Sequence, residues 1–217
     1  MVDPVAIWTY DWVPEGPRGF VRDMRLRWAC EEMGLPYTIE TVPFDGRETN
    51  HLDRQPFGQV PFLDDGPFQL FESGAALLHL ARKSDVLMPS GPAEAAQVEQ
   101  WVIAALNSIE MVTMPWVVLS WSGQQSDAID GWLDKRLGQL EVVLAGREYL
   151  VADRFTAADL MMADVLRLEL LCAHGDRPAS EAYVDRILSR PAFKKALADQ
   201  LAQYEAADRA REENEDA

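Results

Sequence analysis

Every stretch of this 217-residue chain that reads as a β-strand lies before residue 72, and no convincing strand follows Pro92. That division leaves an α/β part followed by an all-helical part. Val5–Tyr10 (VAIWTY) is a β-branched and aromatic run set between Pro4 and Asp11, the signature of a buried strand. Tyr37–Val42 (YTIETV) alternates with period two and reads as a second strand. Between them, residues 22–33 place Leu26, Ala29, Cys30 and Met33 at helical spacing. Arg22, Arg25, Arg27, Glu31 and Glu32 fall largely on the other side, and Gly34 ends the helix. Two strands flanking a helix make a βαβ unit, so the strands are parallel with a right-handed crossover.

Residues 47–54 read as a weak helix. Val60-Pro61-Phe62-Leu63 and the run 67–71 are short apolar stretches separated by Asp64-Asp65-Gly66, a hairpin signal. Residues 72–82 (ESGAALLHLAR) form a further helix. The order is βαβαββα over residues 1–83, followed by a turn-rich linker at 84–92 and a helical domain at 93–217. Helices are expected over 93–121, bent at Pro115, and near 126–145, 156–172, 179–189 and 192–208. From Glu205 onward the 13 last residues hold six acids and two arginines, and read as a frayed, solvated end.

The charge balance narrows the partners. Against 36 Asp+Glu stand 20 Lys+Arg, a formal charge of −16. Such a surface repels phosphate backbones and anionic membranes, so neither nucleic acid nor membrane is an expected partner. No run of about 18 apolar residues is present, so no transmembrane helix is expected. The first residues lack the basic start and apolar core of a signal peptide. Cys30 and Cys172 make no CxxC and no metal-ligand spacing, so the reading expects no disulfide framework, no metal site and a cytoplasmic, reducing compartment.

Four features carry chemistry or its framework. Gly58-Gln59-Val60-Pro61 heads a strand with a proline, which lacks a ladder N–H. A cis Val60–Pro61 bond would turn the Val60 backbone outward to pair with an extended peptide. Phe71-Glu72-Ser73 stands where a strand becomes a helix: either an N-cap, or a site where amides and Ser73 hold a carboxylate and Glu72 an ammonium. Phe155-Thr156-Ala157-Ala158-Asp159-Leu160 has the spacing of a capping box with a hydrophobic staple, a structural feature. Thr9-Tyr10-Asp11-Trp12 ends the first strand, where the Tyr10 hydroxyl either polarises a thiol or packs at a domain edge.

In this order, VAIWTY, RLRWACEEMGLPYTIETV, GQVPFLDDGPFQLFESGAALLHLA and YLVADRFTAADLMMADVL resemble the glutathione transferase family over nearly the whole chain. The resemblance implies a thioredoxin-like domain, a helical bundle, a homodimer, and glutathione as co-substrate without a metal. It also implies detoxification chemistry, in which the thiolate attacks a small apolar electrophile or a peroxide. Val60 matches the residue whose backbone holds the cysteinyl part, and Pro61 the cis-proline. Glu72 and Ser73 match the γ-glutamyl pair, Gln59 and His51 positions that contact the glycyl carboxylate, and Thr156 and Asp159 the capping box. Met111, Met114, Trp116 and Trp12 are candidates for an apolar wall, or core.

The catalytic position departs from the family's pattern. Aligned on Arg25-Leu-Arg27, the place of the usual Ser or Cys holds Phe20. Tyr10, Arg18, Arg22 or a backbone amide of the loop 16–19 are left to stabilise the thiolate. Lowering a thiol pKa by about two units takes roughly 2.7 kcal/mol, within reach of one good donor and a helix N-terminus. Cys30 reads as buried packing. The alternative is a non-catalytic relative serving as an interaction or scaffold protein.

Overall fold

The structure is a computed structural model that describes residues 4–124, 126–168 and 174–215. Cys172 and the end of the helix expected over 156–172 lie outside the described residues. The chain divides into two compact units, one of residues up to Leu80 together with Pro191 onward, the other Ala81–Arg190.

The first unit is built on a four-stranded sheet in the order β2-β1-β3-β4. β1 (Val5–Tyr10) and β2 (Tyr37–Val42) pair in parallel from Val5↔Tyr37 to Tyr10↔Val42, with α1 (Met24–Met33) between them. β3 (Phe62–Asp65) runs antiparallel to β1 and to β4 (Phe68–Phe71). The hairpin sits later than its sequence signal. Asp64 and Asp65 belong to β3, and the reversal falls at Gly66-Pro67, where Gly66 has φ +58°. Pro61 stays outside the ladder and the strand begins one residue later, as a residue without an N–H requires.

The expected helix over 47–54 is absent. Those residues form successive turns, closed by Thr49 N–H to the Gly46 carbonyl and Arg54 N–H to the His51 carbonyl, both 3.0 Å. α1 also departs from its expected two-sided pattern. Met24 through Cys30 are all buried, Arg25 and Arg27 at 2% exposure each. At Arg27 the cause is α8 (Pro191–Glu215), which returns to pack on α1 and brings Gln203 to the guanidinium; Arg25, on nearly the opposite side of the helix, reaches Ser73. Trp28 packs edge-on to Phe193 at 4.8 Å between ring centres. The buried Arg27 is satisfied by Asp23 at 2.6 Å. α8 stays helical through Glu215, so the acidic end is not frayed over the described residues.

The sheet leads into α2 (Ser73–Ala81). The second unit contains α3 (Pro92–Ala104), α4 (Met111–Trp121), α5 (Asp127–Leu144), α6 (Ala157–Leu166) and α7 (Pro178–Leu188). Pro115 lies inside α4, and a π-helical segment, Ala105–Glu110, joins α3 to α4. Together Pro92–Trp121 is one helical stretch long and apolar enough to cross a membrane by length and composition, against the expectation of no such helix, because polar residues interrupt its apolar run. Its Val98, Val102, Ala105, Ile109, Val112 and Val117 are buried as it packs on α5 and α6, while Ile103, Met111, Val118 and Trp121 are exposed.

The capping box of α6 is complete. Thr156 accepts from Ala158 N–H, and Asp159 accepts from Thr156 N–H at 2.9 Å. Asp159 also takes Leu150 N–H at 2.8 Å and the Tyr183 hydroxyl at 2.9 Å. Burial holds its carboxyl above the usual range despite these donors.

Candidate functional site

The hairpin register sets the site. Phe62 pairs with Phe71, so the residues just outside the ladder, Val60-Pro61 on one strand and Glu72-Ser73 on the other, lie alongside each other. Two segments that sequence reading picked out separately thus meet at one end of the sheet. The Val60–Pro61 peptide bond is cis. The Val60 side chain is anchored inward against Val42 and Phe62.

Glu72 is exposed and has φ +71°, the left-handed region that a non-glycine residue occupies at a cost of about 1–2 kcal/mol. Its carbonyl accepts Ala76 N–H at 2.9 Å, so it opens α2, and Ser73 is the first helical residue rather than the cap. Strain held by a surface residue at a strand–helix junction is a mark of a functional position. Ser73 is buried, and its Oγ accepts from Arg25 Nη1 at 2.9 Å.

Gln59 is exposed, and its carbonyl pairs with His51 Nε2 at 3.1 Å. A carbonyl only accepts, so this nitrogen carries hydrogen. His51 is buried at 3% exposure between Phe62, stacked at 5.7 Å, and Tyr10, edge-on at 6.2 Å. Its Nδ1 is buried without a partner.

The expected thiol-stabilising groups are largely engaged. Tyr10 donates its one hydroxyl hydrogen to the Gly58 carbonyl at 2.9 Å. Burial, offset in part by Arg47, pushes its pKa up. While that bond stands the hydroxyl can accept but cannot donate to a thiolate. Gly58 is fixed here for its own reason: at φ +64° a Cβ would stand 2.6 Å from the Arg47 carbonyl. Arg18 grips Asp208 through Nη1 and Nη2 at 2.6 and 2.7 Å, while Nε and Nη2 reach the Val13 carbonyl. In the loop 16–19, Gly19 N–H is held by Gln200 Oε1 at 3.0 Å and Arg18 N–H by the Glu15 carbonyl. Arg22 is half-buried, immediately ahead of Asp23. Phe20, at the position of the usual Ser or Cys, is 38% exposed.

Of the apolar-wall candidates, Met111 is exposed on α4, Met114 is half-buried, and the Trp116 indole is tied to Asp130 at 2.6 Å. Trp12, in the first unit, donates to Asp208 at 2.7 Å. Sequence reasoning missed Arg25, which it took for a surface residue, and the α8 residues Gln200, Gln203 and Asp208. Gln203 donates to the Tyr10 carbonyl at 3.3 Å. Nothing in the local pattern links these α8 side chains to the loop before α1, because the contacts span more than 175 residues. Among the described residues no cluster of metal-ligating side chains is present.

Known proteins agree with this architecture. The profile of the glutathione S-transferase N-terminal domain matches residues 16–82, and that of the C-terminal domain residues 111–191. The chain is 32% identical to glutathione S-transferase 1 of Zea mays, covering 80% of this chain and 90% of that one. It is 31% identical to elongation factor 1-gamma 1 of Oryza sativa subsp. japonica, covering 69% of this chain and 38% of that one. In fold it resembles a glutathione transferase of Pseudomonas putida crystallised with glutathione disulfide, with a TM-score of 0.76 at 21% identity over 89% of this chain and 90% of that one. With both domain profiles matched in order, and about a third of its residues shared with the maize enzyme over most of that enzyme's length, the chain belongs to the glutathione transferase family.

Proposed function

We propose that the chain binds glutathione and presents its thiolate to a small apolar electrophile or a peroxide, a detoxification chemistry, in the cytoplasm and as a homodimer. The observation that carries this reading is the meeting of Val60-Pro61 with Glu72-Ser73 at the end of the β3–β4 hairpin. An extended peptide there pairs with the Val60 backbone, sets its α-carboxylate at Ser73 and the first amides of α2, and sets its ammonium at Glu72. Gln59 and His51 flank the other end through their shared hydrogen bond. Arg22 and the loop before α1 are the groups nearest in sequence to where the thiolate donor belongs. Calorimetry with glutathione tests the binding; no heat at millimolar peptide, or unchanged binding in Ser73→Ala and Glu72→Ala, refutes it.

A second reading has its own observation. Tyr10 spends its hydroxyl hydrogen on Gly58 and Arg18 is locked to Asp208, so these two side chains, both expected to activate the thiol, are engaged elsewhere. A non-catalytic interaction or scaffold protein fits that state, and the chain is also similar to elongation factor 1-gamma 1 over 38% of that protein. Conjugation or peroxidase turnover by the purified protein rules this second reading out.

A further inference from the structure

Arg25 lies in the first turn of α1, 2% exposed, with its Nη1 at 2.9 Å from the Oγ of Ser73, the first residue of α2, 48 positions later. A guanidinium only donates, so at this contact Ser73 Oγ can only accept. A serine hydroxyl has one hydrogen and two lone pairs. With one lone pair bound to a guanidinium held in a packed helix, the rotor is no longer free, and the O–H is directed away from Arg25. Ser73 is also 6% exposed, too buried for water to orient it freely. The amides of Ser73, Gly74 and Ala75 stand ahead of the first bond within α2, the one from Ala76 N–H to Glu72.

We infer that Arg25 is a positioning residue for this site: it fixes the Ser73 hydroxyl as a donor toward the α-carboxylate of a γ-glutamyl group, and so selects a ligand that carries that carboxylate. The inference rests on the glutathione reading above. Arg25 does not touch the ligand; it acts through Ser73. Its effect belongs to peptide affinity and not to the chemical step.

The test compares two peptides on folded variants checked by thermal melting. One is glutathione. The other has 4-aminobutyrate in place of the γ-glutamyl residue and so lacks the α-carboxylate. Arg25→Met weakens glutathione binding about tenfold while changing the truncated peptide less than about twofold, and Arg25→Lys, which keeps a donor, recovers part of the loss. In a Ser73→Ala background, Arg25→Met adds little, because the group it acts through is gone. Turnover at saturating glutathione stays within about twofold. Should Arg25→Met fail to fold, Arg25→Lys carries the same comparison, with a smaller loss confined to glutathione. Equal losses for both peptides, additive losses in the double variant, or glutathione binding unaltered in the Arg25 variants overturn the inference and leave the site reading standing. Failure of the unaltered protein to bind glutathione removes both.

Discussion

Tyr10 and Glu72 show how single residues set the character of the site. The Tyr10 hydroxyl ties β1 to Gly58, two residues before the backbone that holds the cysteinyl part of the peptide in the proposed complex. Tyr10→Phe therefore acts on affinity: the glutathione KM rises several-fold, from loss of about 1 kcal/mol of neutral hydrogen bond, while kcat changes little. A tenfold or greater fall in kcat with KM unchanged would return Tyr10 to the thiolate. Glu72 is held at φ +71°. Glu72→Gly relieves that backbone and stabilises the fold by up to about 1 kcal/mol in thermal melts, yet loses glutathione binding in the calorimeter. At this scale Val60, Pro61, Glu72 and Ser73 were legible, because each carries a local signal of proline, cap or charge. Arg25 was not: in an amphipathic helix an arginine flanked by apolar positions reads as surface unless a second layer is known to cover it.

Between elements, the loop from Asp11 to Asp23 is strapped to α8. Trp12 and Arg18 share Asp208, Gly19 and Asp23 share Gln200, and the Arg211 guanidinium lies 4.3 Å from the centre of the Trp12 ring. Paired with Arg18, the Asp208 carboxyl falls to a pKa of about 2 from its ordinary 3.8. A lowered pKa contributes stability that is complete above the unfolded value and is lost as pH falls through the folded one. The strap therefore holds at neutral pH and loosens between about pH 4 and 2, which the Trp12 indole N–H resonance reports. High salt weakens it in the same direction, since the half-buried Asp208 side chain is still open to solvent. The βαβ unit, the hairpin and the capping box were readable because their signals are periodic or confined to a few adjacent residues. The 47–54 helix was misread because its hydrogen bonds close as separate turns around the buried His51, and the tail because acidic composition outweighed the contacts Asp208 makes far away in sequence.

Over the whole molecule, the −16 charge surrounds a first unit with large exposed aromatic rings: Phe57 at 66%, Phe68 at 53% and Phe71 at 41%, with Phe57 and Phe71 edge-on at 6.5 Å. Apolar rings this open suit a face covered by a second copy. Phe57→Ser is expected to shift the protein toward monomer in sedimentation at micromolar concentration, and an unaltered mass would place the dimer contact elsewhere or nowhere. The sequence placed a boundary near residues 83–92 but gave no sign that the chain returns, since nothing in α8 itself names the helix it covers. Residues 1–83 alone leave Trp28 without Phe193 and Arg27 without Gln203, so that fragment is expected to lack a cooperative melt, and one carrying 191–217 on a linker to gain it.

The return of α8 also fixes an order of events during synthesis. A unit whose last wall is α8 cannot close while the ribosome is still making residues 81–190, although its sheet is made earlier. The middle of the chain can finish folding before the first unit does, because that unit stays incomplete until the residues of α8 have been made.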